Sequence, residues 1–467
     1  MQNFTIGTYM KKTLIALGII ILVVATLPII GNGVMQSAIQ ERVAELKTYG
    51  LESNKSEMTR GYLSTQNHFE FLLKDADAFV EYLNGYADGQ VPPYVNAMLE
   101  GVVIGVDLSY SNIPFSKSVE LDIYPLSISQ NMAQELQENN LAFYEYLEKF
   151  LYSKGILYHI NYNIVSEDFD GFIKDIQESY ILENKTRLLL TLKDITFQGN
   201  GDLIAPQRLA TSLKKVQLEV NQQNESMIFD LEGLQTATLY ESQSTYLSSA
   251  ELKSFDFRVN GTQNDLILLL KNIQFNASSS TLDEFGEVDT KSSIEKLAFD
   301  SKELSIDIKN FNMDVALDGL DKESFKESLA VMSKLNKLND PLLELKLKES
   351  LMQLFSKGLL FSIADFSVEE IALEGGEELK GFKVQSQTKL KADKDFAKKL
   401  QISPLLLVQN IDIVTKIRVS REIYAKITQK RGAPVMLQEY LKEDGNDYIF
   451  DLNFQNAEVT LNGKVLR

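Results

Sequence analysis

The chain has 467 residues, with 47 Lys and Arg against 65 Asp and Glu, and its formal net charge is −18. It contains no cysteine, no tryptophan and two histidines. The missing cysteines exclude disulfides, iron–sulfur clusters and thiolate nucleophiles, and two histidines offer little for a His-rich metal site or a catalytic triad. The acidic balance argues against a nucleic-acid-binding protein, which needs a basic surface.

The first feature along the chain is an uncharged run at residues 13–30, composed mostly of Leu, Ile, Val and Ala. A membrane-spanning helix needs about 20 such residues. Because Lys11 and Lys12 precede the run, the positive-inside rule places the N-terminus in the cytoplasm. We therefore predict a cytoplasmic stub at 1–12 and a transmembrane anchor at 13–33. A cleaved signal peptide ending near 31–33 is the alternative.

Beyond the anchor, the pattern predicts a juxtamembrane helix and a polar joint at 34–66. An N-terminal part of the ectodomain follows at 67–185, with strand-like runs and an amphipathic helix at 131–153. Alternation of apolar and polar residues then dominates, which is typical of antiparallel sheet covered on one side. We predict a repeated-strand region at 186–390, with a helical insertion at 321–357, and a helix–hairpin region at 391–467.

One eight-residue pattern recurs at 190–197, 268–275 and 306–313, with a looser copy at 361–368. Apolar residues occupy positions 1, 3, 6 and 8 of each unit. The step from position 3 to position 6 is odd, so a regular strand would turn its apolar face over at this point. An extra residue at the Lys-Asp or Lys-Asn pair, forming a bulge or kink, would restore the facing.

Catalytic and metal-binding motifs are missing from the sequence: there is no GxSxG, HExxH, Walker A or GxGxxG stretch. His68 and His159 both lie in alternating apolar runs, where a strand histidine with a local hydrogen bond is the usual interpretation. We predict no catalytic, cofactor-binding or metal-binding residue. A pair of carboxylates brought together by folding remains open, since a glycosidase needs only two of them.

Three short segments resemble the YdgA-like family of bacterial inner-membrane-anchored proteins. They are Met10-Lys-Lys-Thr13 with the apolar run after it, Arg60-Gly-Tyr-Leu-Ser64, and a closing hairpin from Asp447 to Gly463 that ends in Leu-Asn-Gly. Where the family tends to carry His-Gly-Pro, this chain has Ser111-Asn-Ile-Pro114. The resemblance implies a single-pass inner-membrane protein with its C-terminal domain in the periplasm and without assigned catalysis.

The predicted fold class is α+β: an N-terminal transmembrane helix followed by a large ectodomain of curved, mostly antiparallel β-sheet with several amphipathic helices. The predicted function is non-enzymatic binding of a lipid chain or an envelope protein on an apolar sheet face, with Leu268, Leu270, Ile273 and Phe275 as contacts. Its partners would be the membrane, through 13–33, and that lipid or protein, without nucleic acid. The alternatives are an anchored envelope hydrolase that uses paired carboxylates and a structural assembly factor.

Overall fold

The computed structural model describes two compact units. The described residues are 39–41, 43–86, 96, 99–113, 118–182, 185–202, 206–223, 225–242, 244–261, 265–281, 284–335, 341–373, 376, 378–431 and 440–466. Unit 1 contains the described residues up to Lys174 together with 196–202. Unit 2 contains 175–195 and the described residues from 206 onward.

Unit 1 is built on an antiparallel ladder in which each strand pairs with the next along the chain. Its strands are β1 (Leu51–Arg60), β2 (Ser64–Leu73), β3 (Val103–Ser111), β4 (Ser118–Pro125), β5 (Tyr158–Asn163) and β6 (Asp168–Ile173). Its helices are α1 (Ala76–Tyr86), α2 (Gln130–Asn139) and α3 (Leu141–Tyr152). Strand β2 buries alternate side chains, and its Phe69, Phe71 and Leu73 form a core cluster with Leu51 and Ala76.

Unit 2 is built on antiparallel strands of very different lengths. They are β7 (Ile176–Ile181), β8 (Arg187–Gly201, of which the residues up to Ile195 belong to unit 2), β9 (Pro206–Gln222), β10 (Glu225–Ser242), β11 (Thr245–Asn260), β12 (Leu266–Ser280), β13 (Phe285–Ser301), β14 (Ser305–Asp321), β15 (Leu359–Leu373), β16 (Leu379–Leu390), β17 (Ile411–Ser420), β18 (Lys442–Asp444), β19 (Asp447–Gln455), β20 (Glu458–Leu461) and β21 (Lys464–Val465). Strands β8–β15 have 15 to 18 residues each, where about 5–6 is common. Strands β9 to β17 follow one another in the ladder, and β19 pairs with β17.

Helices of unit 2 interrupt the ladder at three places. They are α4 (Lys322–Leu335), α5 (Pro341–Ser356), α6 (Phe396–Ile402), which is followed by the 3₁₀ helix Pro404–Asn410, and α7 (Arg421–Arg431). Of these, α7 packs on the sheet: its Ile423 is buried with Leu379 of β16 and Val419 of β17.

The predicted transmembrane helix requires a correction. The segments 1–12 and 13–33 lie outside the described residues, as do residues 34–38 of the predicted juxtamembrane helix. Among the described residues, no helix is both long enough and apolar enough to cross a membrane. The longest, α5, has 16 residues and includes Glu344 and Lys346, whereas a span needs about 20 apolar residues. The predicted fold class is therefore wrong in its membrane-spanning helix, and the predicted inner-membrane localisation is contradicted with it. The antiparallel, strand-rich character is confirmed.

Two local predictions also change. Residues 51–60, predicted as part of a polar joint, form strand β1, whose side chains are exposed on both faces beyond its first two residues. Period-two alternation cannot reveal such a strand because neither face is apolar. The predicted helix 131–153 is two helices, since the Asn140 side chain accepts a hydrogen bond from the backbone N–H of Phe143 and so begins a second helix.

Candidate apolar binding face

Apolar side chains form continuous rows across the long strands of unit 2. One such row runs from strand to strand through Phe257, Leu268 and Phe299, which occupy directly paired positions. Three adjacent rows on strands β9–β14 contain no polar residue, and we call them the apolar band of the front face. The band consists of Leu218, Phe229, Phe257, Leu268, Phe299 and Ile306, then Val216, Leu231, Phe255, Leu270, Leu297 and Ile308, then Leu213, Leu234, Leu252, Ile273, Ile294 and Phe311.

A line of left-handed residues keeps the band on one face. Asn272, with φ of 47°, lies between Leu270 and Ile273 and forms no bridge in the ladder. The strand therefore turns over once, so that Lys271 and Asn272 are both exposed and the apolar side chains continue on the same face. Gly233 and Asn310 have the same conformation at the same level of β10 and β14, with φ of 68° and 51°.

These residues confirm the kink predicted at the Lys-Asp or Lys-Asn pair. Asp194 and Asn310, at the corresponding positions of two other predicted units, have φ of 49° and 51°. In the looser fourth unit, the register of β15 shifts between Ile363 and Phe366. An Asn at such a position tolerates a left-handed backbone. The Asn272 and Asn310 side chains also donate hydrogen bonds across to Glu295 and Glu369.

The charged residues of these strands lie on the back face. Lys215 forms ion pairs with Asp230 at 2.9 Å and with Glu232 at 3.0 Å. Arg258 pairs with Asp256 at 2.6 Å. Further back-face pairs join Lys291 to Asp314 and Lys309 to Glu370. On the front face, the two rows beside Leu213 and its neighbours contain small, hydroxyl and apolar side chains but no charge. They are Thr211, Thr236, Ala250, Phe275, Ser292 and Met313, then Leu209, Thr238, Ser248, Ala277, Thr290 and Val315.

The apolar band is open along β9–β14. All of its side chains are partly exposed and none is buried. The same rows continue onto β15–β19, where Val368, Leu379 and Val419 are buried and Ile371, Phe382 and Tyr448 are partly exposed. There Val368 and Val419 are 6% and 9% exposed, and Tyr424 of α7 lies with its ring centroid 4.9 Å from that of Tyr448.

The four predicted contact residues all lie on the front face of β12. Leu268, Leu270 and Ile273 belong to the apolar band, and Phe275, in the next row, is 39% exposed. Whether they contact a ligand stays a prediction. Their neighbours on the adjacent strands could not be predicted from the sequence, because cross-strand register is not encoded in one strand alone.

Unit 1 holds a separate polar row that could not be predicted from the sequence. His68, Asp107, Asp122 and His159 occupy directly paired positions on β2, β3, β4 and β5. Each histidine Nδ1 lies 2.6 Å from the Oδ1 of its aspartate, His68 with Asp107 and His159 with Asp122. They line a cavity of about 440 Å³. Both histidines are thus strand histidines with a local hydrogen bond, as their sequence context indicates.

Charge pairing dominates the chemistry of this row. Burial opposes the charged form of His68, but hydrogen bonds to Asp107 and Glu70 outweigh it and raise the His68 pKa. Burial likewise favours the neutral form of Asp107, but Lys154 at 2.5 Å and His68 lower the Asp107 pKa. Burial, followed by the charge of Asp107, raises the pKa of Tyr124. Asp107 thus lies within hydrogen-bonding distance of His68, Lys154 and Tyr124.

Within the described part of the chain, no group of three or more His, Asp or Glu side chains is arranged to hold a metal ion. Comparison with protein-family models, curated proteins and solved structures finds no match for the chain. The resemblance to the YdgA-like family therefore stays a prediction.

Proposed function

We propose that the apolar band of unit 2 binds the hydrocarbon chain of a lipid. The observation that carries the proposal is that all eighteen side chains of the band are apolar and all are partly exposed. Contiguous apolar surface of this kind is rare on soluble proteins and marks interaction sites.

The chemistry of the band favours a hydrocarbon over a protein as its occupant. Protein interfaces carry about one hydrogen bond per 100–200 Å². The band offers no side-chain donor or acceptor, and the backbone groups beneath it are engaged in the ladder. A hydrocarbon chain needs no hydrogen-bonding partner, so it loses nothing on such a surface.

The band is also long enough to hold one lipid chain. Six strands spaced about 4.8 Å apart place the outermost two about 24 Å from each other. A chain in a bilayer leaflet extends over half of a hydrocarbon core about 30 Å thick, which is about 15 Å. Each methylene that is fully buried contributes about 0.8 kcal/mol, and a chain lying on an open sheet buries about half of its surface.

A single introduced tryptophan tests this proposal, because the chain has none of its own. In Leu268→Trp the indole would lie in the apolar band, and a brominated fatty acid that binds there should quench its fluorescence with saturation. Leu269→Trp is the matched control, since Leu269 is also partly exposed but lies on the back face of the same strand. Equal quenching of both variants, or no quenching of Leu268→Trp, would refute the proposal. Self-association of the wild-type chain in sedimentation, with no quenching, would identify a second copy as the occupant.

The polar row of unit 1 supports a second candidate, a hydrolase that uses paired carboxylates. Asp107 and Asp122 face each other across β3 and β4 beside a cavity, and each is oriented by a histidine. Two such carboxylates are what glycoside hydrolysis requires. The test is release of nitrophenol from a panel of nitrophenyl glycosides by the wild-type chain, with Asp122→Asn as the matched inactive variant. Failure of the wild type, or equal activity in Asp122→Asn, removes this candidate.

A further inference from the structure

We infer that helix α7 ends the apolar band and so sets the length of chain that the front face accepts. The inference rests on the proposed function. One row of the band runs through Ile273, Ile294 and Phe311. The pairing of Asn312 with Ser367 brings Val368 of β15 beside this row, which then continues through Phe382 and Val419. The row therefore consists of apolar residues from β9 to β17.

Exposure along this row changes abruptly at β15. Ile273, Ile294 and Phe311 are partly exposed. Of the next three residues in the row, Val368 is 6% exposed, Phe382 is partly exposed and Val419 is 9% exposed. A chain lying across the strands in this row therefore meets partly exposed side chains as far as β14 and buried ones on β15 and β17.

Side chains from the first turn of α7 pack on β16, β17 and β19 in this part of the sheet. Ile423 is buried against Leu379 and Val419. The Tyr424 ring lies 4.9 Å from the Tyr448 ring and 6.0 Å from the Phe450 ring, measured between centroids. These are the contacts that a hydrocarbon chain would make if it continued along the band.

The start of α7 is fixed to the sheet. The Ser420 hydroxyl accepts a hydrogen bond from the backbone N–H of Ile423 at 3.2 Å and donates one to the backbone carbonyl of Lys380. The backbone N–H of Arg421 donates to the carbonyl of Asn446 at 3.0 Å. Because these bonds join α7 to β16 and to the turn before β19, Ile423 and Tyr424 are held in place as a fixed stop.

A fixed stop predicts a limit in chain length. For saturated fatty acids of increasing length, the affinity of the full-length protein should rise about twofold to fourfold with each added methylene. It should then level off once the chain spans β9 to β14. The probe is displacement of brominated fatty acid from the Leu268→Trp variant, with each competitor kept below its micelle-forming concentration.

Replacing the stop should move that limit. In Leu268→Trp with Ile423→Ala and Tyr424→Ala, rows on β16 and β17 become available, so the affinity should keep rising over several further methylenes. The matched control is Leu345→Ala, an exposed position on α5, which should leave the limit unchanged. A second variant, Ile308→Trp without the Leu268 substitution, places a bulky block inside the band and uses its own single indole as the reporter. It should shorten the limit even if the α7 variant fails to fold.

The outcomes separate the two proposals. If no fatty acid displaces the probe because none binds, the proposed function fails. If fatty acids bind but affinity rises without levelling off, or levels off at the same length after the α7 substitutions, the proposed function stands and the stop is overturned. A limit that lengthens in the α7 variant and shortens in Ile308→Trp supports the stop.

Discussion

The front face of unit 2 is built from the same kinds of side chain on β9–β14 and on β15–β19, yet only the second part is packed like a protein interior. On β15–β19, Val368 is buried, and Leu379 and Val419 are buried against Ile423 of α7. On β9–β14, no side chain of the apolar band is buried. The difference lies in what covers the strands, since their composition is alike. An apolar face thus becomes a core only where another element meets it.

The sharpest way to break this comparison is to place a charge in each part. Val419→Asp buries a carboxylate against Leu379 and Ile423 without a partner, so unit 2 should lose about 3 kcal/mol or more of unfolding free energy. Leu270→Asp, on the open part, should cost about 1 kcal/mol or less, because its carboxylate can remain hydrated. Urea unfolding of the full-length variants measures both. Equal losses would show that the two parts are packed alike.

Shortening one buried side chain of helix α7 should have the next largest effect on stability. Ile423→Ala removes a buried side chain between α7 and the sheet and should cost about 2 kcal/mol. Leu268→Ala, a matched truncation in the open band, should cost about 1 kcal/mol or less, since Leu268 is already partly hydrated. Thermal unfolding of the two variants provides the measurement. The comparison fails if Leu268→Ala is the more damaging change.

Substitution of a left-handed residue in strands β9–β14 should have a smaller effect on stability. Asn272 has φ of 47°, a conformation that a β-branched residue adopts at a cost of about 1–2 kcal/mol. Asn272→Val should therefore lower the stability by that amount, whereas Asn272→Gly should leave it nearly unchanged. Urea unfolding distinguishes the two. A harmless Asn272→Val would mean that the band does not depend on this turn of the strand.

The smallest effect is expected from acid, and it should fall on the covered part. The hydrogen bond from Lys380, and then that from Arg418, lowers the pKa of Asp447, which is 2% exposed. A lowered folded-state pKa stabilises the protein above the unfolded-state value, near 3.8. That stability should decline as the pH falls below 3.8 toward the folded-state pKa.

Asp447→Asn is the control, because it should remove this part of the acid sensitivity in unfolding measured across pH. The apolar band has no ionisable side chain, so its affinity for an uncharged long-chain alcohol should not change over the same pH range as long as unit 2 stays folded. Acid sensitivity that persists in Asp447→Asn would assign the effect to other carboxylates.

The repeated strand unit could be read from the sequence because its evidence is local. The spacing of Leu268, Leu270, Ile273 and Phe275 already requires one extra residue between two apolar pairs, and Asn272 supplies it. Strand β1 could not be predicted, since it exposes both faces and leaves no period. The predicted transmembrane helix followed from composition at 13–33, a segment outside the described residues, and the described chain has no helix of that kind.

Features that depend on pairing between distant strands were also beyond the sequence. His68 and Asp107 are 39 residues apart, and His159 and Asp122 are 37 apart. Only the registers of β2 to β5 bring them into one row. Similarly, the sequence around Ile423 gives no indication that α7 packs on β17 while the apolar band on β9–β14 stays partly exposed. Which strands a helix packs on is decided by the tertiary structure.

At the left-handed residues Gly233, Asn272 and Asn310, each strand changes which of its alternate side chains point to the front face. A substitution keeps this alternation on both sides of the left-handed residue, but deletion of one residue shifts it on one side. Loss of Asn272 alone would carry Ile273 and Phe275 to the back face, among the ion pairs, while Leu268 stayed in front. A sheet with this architecture should therefore accept many point changes and few single-residue insertions or deletions. Such a sheet can gain or lose strands most easily as whole strands, each with its own residue at which the alternation changes.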